Sequence, residues 1–129
     1  MRPAVKWTIG TIYLSLIALT VYAANTKLLP ETITSILFAS PGADKVCHFL
    51  LVGGLAATVN WILNCRTIRL ASLEIQLGTV ICLALATLEE ISQAWNPNRT
   101  ADILDFTMNT LGILLIGPLA RKLPNTKPA

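Results

Sequence analysis

Four long apolar stretches constrain the fold of this chain more than any other feature. They run approximately over residues 4–24, 46–64, 75–95 and 103–120. Each has roughly the 18 to 21 residues that a helix needs to cross the hydrocarbon core of a bilayer. The chain has 129 residues, of which 53% are hydrophobic and 13% charged, so little remains for a separate soluble domain. The sequence predicts an all-α, four-helix membrane bundle that forms one domain over residues 1–129.

The basic residues predict how this bundle lies in the membrane. Four crossings place the N-terminus, the 65–70 loop and the C-terminal tail on one side, and that side collects Arg2, Lys6, Arg66, Arg69, Arg121, Lys122 and Lys127. The opposite side has only Lys27, Lys45 and Arg99. By the positive-inside rule, both termini are expected to be cytoplasmic. The net charge of +3 is modest and forms no basic face with interleaved aromatics, which argues against nucleic-acid binding.

Two segments of this topology have alternative interpretations. A basic start before the first apolar stretch is also typical of a cleaved signal peptide. The run from Trp7 to Ala24 is longer than a signal core, which favours an uncleaved anchor. In the outward connection over 25–43, apolar residues recur at helical spacing between two prolines, so a short interfacial helix is expected there.

Polar residues border the apolar stretches at helical spacing. Three sets each share one face of a predicted helix: Asp44 with His48, Glu90 with Gln93, and Asp102 with Asp105 and Asn109. Each ionisable group near hydrocarbon costs roughly 2 to 3 kcal/mol on insertion scales, so those retained usually face a protein interior, a wet cavity or one another. Since all three sets lie near the outer membrane face, we expect them to point at a common centre.

Three interpretations compete for this centre. The first is a site for an anionic or polar ligand, in which Arg99, Lys45 and protonated His48 supply donors, and the planar fork of Arg99 suits a phosphate or carboxylate. The second is a divalent metal site, for which the candidate ligands are His48, Glu90, Asp102 and Asp105. No ExxH or HExxH motif supports it. The third is a structural network in which Arg99 pairs with Asp102 or Glu90. The number of ionisable groups favours a ligand site.

Other residues have simpler roles as structural elements. Asp44 is expected to cap the second helix, Asp102 to start the fourth, and Glu89 to meet only the lipid headgroups. The glycines at 53, 54 and 112 remove bulk where helices approach closely, and pairing of these helices between chains would give a homo-oligomer. The three cysteines have no metal-ligand spacing and are interpreted as apolar filler.

The ordered set of polar residues resembles the VanZ-like family of bacterial membrane proteins. The resemblance covers residues 44–117 and rests on the run from Asp44 to Phe49, the Glu90–Gln93 segment, and the run from Arg99 to Asp105 with the residues that follow it. The family's motif residues correspond to Asp44, Lys45, His48, Glu90, Gln93, Arg99, Asp102, Asp105 and Asn109. Two departures stand out. Val52 replaces a common aromatic, often Tyr, and Gly112 and Gly117 are one residue further apart than usual.

The resemblance implies a protein of the bacterial cytoplasmic membrane, linked in the family's namesake with low-level resistance to the glycopeptide teicoplanin. The leading hypothesis is an outward-facing site that binds or processes a polar or anionic envelope molecule, such as a lipid-linked phosphate or a cell-wall precursor. Its substrate-binding set is Asp44, Lys45, Gln93, Arg99 and Asn109. Its catalytic set is His48, Glu90, Asp102 and Asp105, with His48 exchanging a proton near neutral pH.

No metal is assigned to this site and the cofactor is left open. Whether the protein is an enzyme also stays open, because no nucleophile stands out: Thr100 and Thr107 are near, but neither is an obvious choice. The alternative function is a non-catalytic membrane partner whose polar cluster is a structural network that serves assembly.

Overall fold

The computed structural model describes residues 3–28, 30–37, 40 and 42–124. Within these residues it contains α1 Pro3–Asn25, α2 Glu31–Leu37, α3 Ala43–Ile62, β1 Thr67–Leu70, β2 Leu73–Gln76, α4 Leu77–Gln93, α5 Ile103–Ile116 and a 3-10 helix Gly117–Lys122. The prediction of a mainly helical chain is confirmed, as is the short helix in the 25–43 connection. Arg2 and Lys127, which entered the charge asymmetry, lie outside the described residues.

Three helical segments of the described chain are long and apolar enough to cross a membrane: Pro3–Ala23, Ala43–Ile62 and Ile103–Lys122. The last combines α5 with the 3-10 helix, where Pro118 has no N–H to continue the α-helical pattern. α4 has 17 residues, which is at the lower end of the length of a membrane helix. Its predicted bounds of 75–95 are wrong because Ile75 and Gln76 belong to β2 and the helix ends at Gln93. The fourth crossing stays a prediction.

The hairpin before α4 was missed by the sequence analysis, which treated 65–70 as a plain loop. β1 and β2 pair antiparallel, with Thr67 opposite Gln76 and Leu70 opposite Leu73. The two-residue turn between them places Ala71 in the left-handed region at a φ of 54°, as tight hairpin turns require. Because the turn residues are Ala-Ser and not Asn-Gly or Asp-Gly, the usual sequence signal for such a hairpin is lacking.

α3 lies at the centre of the fold and packs against α1, α4, α5 and the 3-10 helix. A Cβ built on Gly112 would collide with the carbonyl oxygen of Phe49, and one built on Gly53 would lie 2.8 Å from the carbonyl oxygen of Gly112. The backbones of α3 and α5 can approach this closely only because both positions lack a side chain, which confirms the role predicted for these glycines. The buried core beside this contact consists of Ala56, Cys82, Ala86 and Ile113.

The long helices bring polar residues together at both of their ends. The start of α3, the end of α4 and the start of α5 meet at one end, since Lys45 of α3 contacts the acids that begin α5. We call this the carboxylate end, and its central residues are Asp44, Lys45, His48, Asp102 and Asp105. The start of α1, the end of α3 and the start of α4 meet at the other end. We call this the amide end, and its central residues are Lys6, Asn60, Asn64 and Thr79.

Candidate functional site

Lys45 is the central residue of the carboxylate end and contacts three carboxylates. Its Nζ donates hydrogen bonds to Asp102 Oδ2 at 2.5 Å and to Asp105 Oδ1 at 2.6 Å, and it lies 3.0 Å from Asp44 Oδ2. An ammonium group has three N–H donors; two of them are used by Asp102 and Asp105, and Asp44 adds a third negative charge beside the ammonium. The prediction that Asp44 caps the helix is wrong, because the N-cap of α3 is Gly42. Asp44 lies instead in the first turn, where the helix dipole still favours its charge.

His48 lies one turn further along α3 and faces α5. Its Nδ1 is 3.1 Å from Asn109 Oδ1, and its Nε2 is 3.6 Å from Asp105 Oδ2. Because an amide oxygen only accepts, this arrangement places the hydrogen on Nδ1 and leaves Nε2 able to accept a proton. Asn109 therefore favours one tautomer of the ring, and the Asp105 carboxylate lies beside the other ring nitrogen.

Asp102 joins the Lys45 cluster to the start of α5. Its Oδ1 accepts from the backbone N of Leu104 at 2.8 Å, which confirms that it caps this helix. The hydrogen bond from Lys45, and after it the one from the Leu104 N–H, holds the pKa of the Asp102 carboxyl below its ordinary value. The backbone N of Asp102 donates to Glu90 Oε1 at 2.8 Å. Glu90 thus fixes the beginning of α5 and contacts the backbone of the cluster, not its side chains.

Arg99 forms a second group at the carboxylate end. Its Nη1 donates to Asn25 Oδ1 at 3.3 Å, and its Nη2 is 3.9 Å from Glu89 Oε1. The partner predicted for it was Asp102 or Glu90; the structure places Glu89 there instead. Glu89 was expected only at the headgroups, but its other oxygen accepts from Gln93 Nε2 at 2.7 Å. The spacing of Glu89 and Gln93, four residues apart on one helix, is the signal that could have identified this pair.

A cavity of about 850 Å³ opens between these two groups. Its polar end is lined by Asp44, Lys45, His48, Glu89, Arg99, Asp102, Asp105 and Asn109. Its remaining walls are mainly apolar, and their main residues are Ile17, Val21, Leu51, Val52, Leu55, Leu85 and Ala86. The volume is within the range of small-molecule sites. The cavity thus brings together seven of the nine predicted site residues, while Glu90 and Gln93 are not in its lining.

The match to a known protein family includes all the residues that line this cavity. The family model described as VanZ/LLP1 matches residues 5–121. The chain belongs to the VanZ/LLP1 family. This confirms the resemblance drawn from the polar motifs and extends it to α1 and the connection that follows it. The curated proteins and the solved structures contain no match to the chain.

Several residues of this VanZ/LLP1 cavity were not predicted from the sequence. Asn98 donates from Nδ2 to the carbonyl oxygen of Asn25 at 3.0 Å, beside the Arg99 contact to the same residue. These bonds tie the end of α1 to the α4–α5 connection. Lys27 and Thr34, from the connection after α1, also line the cavity. No spacing rule pairs the end of the first helix with the loop before the last, so this contact could not be predicted from the sequence.

The metal alternative finds no donor set in the VanZ/LLP1 site. In the part of the chain that the structure describes, no group of three or more His, Cys, Asp or Glu side chains is placed to hold a metal ion. The Lys45 ammonium instead occupies the position between Asp44, Asp102 and Asp105 where a cation would balance their charge. The arrangement therefore supports proton exchange and recognition of charged groups as its chemistry.

Proposed function

We propose that this VanZ/LLP1 protein binds or processes a polar or anionic molecule of the bacterial cell envelope, a lipid-linked phosphate or a cell-wall precursor. The observation that carries this proposal is the division of the 850 Å³ cavity into an ionisable end and apolar walls. An amphiphile matches both parts, because its head meets the polar groups and its chain removes apolar surface from water. A purely polar solute would leave most of the lining without a complementary surface.

In this proposal α1, α3, α4 and the α5 segment all cross the cytoplasmic membrane, with both termini in the cytoplasm. α4 packs against α3 and α5, and its 17 residues reach the minimum for a crossing. Four crossings place the carboxylate end outside, where envelope precursors are used. The amide end carries Arg66, Arg69, Arg121 and Lys122 near it in the fold, and a cytoplasmic position for these charges follows the positive-inside rule.

Processing of the bound molecule would depend on His48. Its Nε2 faces both the cavity and Asp105, so it can take up a proton from a bound head group and return it. Asp105 would stabilise the imidazolium, while Lys45 fixes Asp105 in place. Thr107 is not in the cavity lining, and its hydroxyl donates to the carbonyl oxygen of Ile103 at 2.7 Å, not to a side chain that could act as a general base. Proton exchange without a covalent intermediate is the chemistry that this site supports best.

The test is the melting temperature of the purified protein in detergent, measured against a polyprenyl phosphate, a lipid-linked cell-wall precursor, teicoplanin and divalent metals. A ligand that binds only the folded state raises the melting temperature by mass action. We expect the lipid-linked anions to raise it in the wild type and to have less effect on Arg99→Lys. Arg121→Lys is the matched control, since this exposed arginine lies outside the cavity lining. No shift with any compound would contradict the proposal.

The second candidate function, a non-catalytic membrane partner, is favoured by one observation. Lys45 of α3 donates hydrogen bonds to Asp102 and Asp105 at the start of α5, so this side chain already joins the two helices. The two functions are separated by charge-conserving changes such as Asp102→Glu. If the variant folds normally but loses ligand response, the site is functional; if stability and phenotype fall together in every variant, the network serves assembly.

A further inference from the structure

The polar end of the cavity has two halves with different charge. Around Lys45, three carboxylates face one ammonium group, which donates hydrogen bonds to two of them. Within the described residues, Arg99 forms an ion pair only with Glu89, whose Oε1 lies 3.9 Å from Arg99 Nη2. A guanidinium group has five N–H donors, and the single hydrogen bond that the Arg99 guanidinium makes within the described residues goes to Asn25. Arg99 therefore keeps more donors for a ligand than Lys45, whose charge is also outnumbered by the carboxylates around it.

Lys27 adds a second cation to the Arg99 half. It follows two residues after Asn25, the acceptor of the Arg99 hydrogen bond, and its side chain lines the same cavity. It forms no ion pair within the described part of the chain. The Arg99 half thus has two cations against Glu89, while the Lys45 half has three carboxylates against one lysine. An anionic head group is attracted to the first half and repelled by the second.

The apolar part of the cavity lies beside the outer part of α1. Towards the amide end α1 contacts α3 directly: Tyr13 donates from its hydroxyl to the Leu51 carbonyl oxygen at 3.0 Å, and Gly10 lies against Ile62. Further along α1, Ile17 and Val21 face the cavity instead. This part of α1 forms an apolar wall of the cavity, between its polar end and the α1–α3 contacts. Such a wall suits a hydrocarbon chain.

We propose that the cavity binds an anionic lipid whose phosphate head is held by Arg99 and Lys27 and whose hydrocarbon chain lies along α1. Lys45 is not a ligand in this arrangement; it holds the acids that surround His48. The inference rests on the proposed function and names its ligand class and its head-group residues. Asn25 would release Arg99 when the phosphate arrives, since an anion competes better than a neutral amide for a guanidinium group.

The test measures binding of butyl, octyl and dodecyl phosphate to the purified protein in a detergent with a neutral head group. Inorganic phosphate serves as the chain-free source of the same anion. We expect affinity to rise with chain length and inorganic phosphate to bind weakly. Arg99→Gln should weaken dodecyl phosphate binding about tenfold or more, the effect of losing charge-assisted hydrogen bonds. Arg121→Gln, with the same change of charge outside the cavity, should bind like the wild type.

The outcomes separate this inference from the proposed function. If no alkyl phosphate and no cell-wall precursor binds the wild type, both fail. If the wild type binds but Arg99→Gln and Lys27→Gln bind equally well, or if inorganic phosphate binds as tightly as dodecyl phosphate, only this inference is overturned. Lys27→Gln guards against a folding defect, because Lys27 is exposed and forms no ion pair within the described residues. It should weaken binding several-fold while leaving the melting temperature without ligand unchanged.

Discussion

The two polar ends of this protein are built from different chemistry. At the amide end, Asn60 is fully buried; its Nδ2 donates to Thr79 Oγ1 at 2.9 Å and to the Gly117 carbonyl oxygen at 3.3 Å, and its Oδ1 accepts from the Thr79 N–H at 3.0 Å. The neutral groups of Asn60, Thr79 and Gly117 here hydrogen-bond to one another. At the carboxylate end, charged groups surround an open volume of about 850 Å³. The first arrangement holds neighbouring helices together through hydrogen bonds, and the second leaves charged side chains facing the cavity.

Lys6 and Lys45, one at each polar end, show the same contrast. Lys6 at the amide end is 2% exposed; its Nζ donates to Asn64 Oδ1 at 2.6 Å and lies 5.5 Å from the centre of the Trp61 ring. Lys45 at the carboxylate end has a side chain that is 21% exposed and faces three carboxylates. A buried cation needs partners to offset its desolvation, and Lys6 finds them in an amide and an aromatic ring. We therefore expect substitutions at the amide end to lower the stability of the fold, and substitutions at the carboxylate end to impair function.

Of the substitutions that compare the two polar ends, the one with the largest expected effect on stability is at Gly78 of the amide end. A Cβ at this position would lie 2.7 Å from the backbone N of Asn60, so Gly78→Ala must push α3 and α4 apart. We expect it to lower the free energy of unfolding by about 3 kcal/mol, the upper end of overpacking costs. The measurement is thermal unfolding in detergent.

Gly54→Ala is the matched control for Gly78→Ala. Its new Cβ meets the hydroxyl of Tyr13, the far end of a side chain that can move. The gain in helix propensity of about 1 kcal/mol for alanine over glycine offsets part of any strain. We expect little net change. If both variants lose the same stability, the close approach of Gly78 to the Asn60 backbone is not what makes Gly78→Ala destabilising.

Substitution of two buried asparagines has the next largest expected effect on stability. Asn60 is 0% exposed and Asn109 is 3% exposed, one at each end of the bundle. Asn60→Ala should cost about 2 kcal/mol, because it leaves the buried Thr79 N–H without its acceptor. Asn109→Ala should cost less, since the contact it removes is the one to His48.

The same pair separates structural from functional roles by a second measurement. His48 is the only histidine in the chain, so the nitrogen NMR signals of its ring report its tautomer without overlap. Asn109→Ala should shift these signals towards a mixture of tautomers and weaken ligand response. Asn60→Ala should leave them unchanged. A ring signal that changes in the second variant and not in the first would contradict the assignment of Asn109 as the positioning residue.

The sequence predicted much of the carboxylate end and little of the amide end. Asp102, Asp105 and Asn109 share a helix face by spacing alone, and charged groups beside apolar stretches attract attention because they are costly there. Asn60 and Thr79, by contrast, are polar residues of ordinary apolar stretches. Their pairing depends on how the hairpin turns α4 back along α3, and the Ala-Ser turn of that hairpin carries no strong local signal.

Within the site itself, helical spacing assigned faces correctly but not partners. Spacing grouped Glu90 with the common centre, yet Glu90 bonds to the backbone of Asp102, and its neighbour Glu89 contacts Arg99. Two adjacent residues on a helix point about 100° apart, and only the packing of α4 against α5 decides which of them enters the cavity. The contact of Asn25 with Arg99 also needs the tertiary arrangement, because it joins residues 74 positions apart.

The smallest expected effect concerns the pH dependence of stability at the two ends. The hydrogen bond from Lys45 lowers the pKa of Asp102 below its ordinary value of 3.8. The stabilisation from ionised Asp102 is fully present above that value and is lost as the pH falls through the lowered pKa. Asp102→Asn can still cap α5 but cannot offer Lys45 a charge. The melting temperature of this variant should therefore be below that of the wild type at neutral pH, and the difference should shrink on acidification.

The amide end supplies the control for this pH dependence. Asn60, Thr79 and the Gly117 carbonyl do not titrate, so the difference in melting temperature between wild type and Asn60→Ala should stay constant over the same acid range. If that difference changes with pH as much as the one for Asp102→Asn, the acid sensitivity belongs to the whole fold. If only the Asp102→Asn difference shrinks, the acid-sensitive stabilisation belongs to the carboxylate end, and its charges can be altered by a ligand without loosening the rest of the bundle.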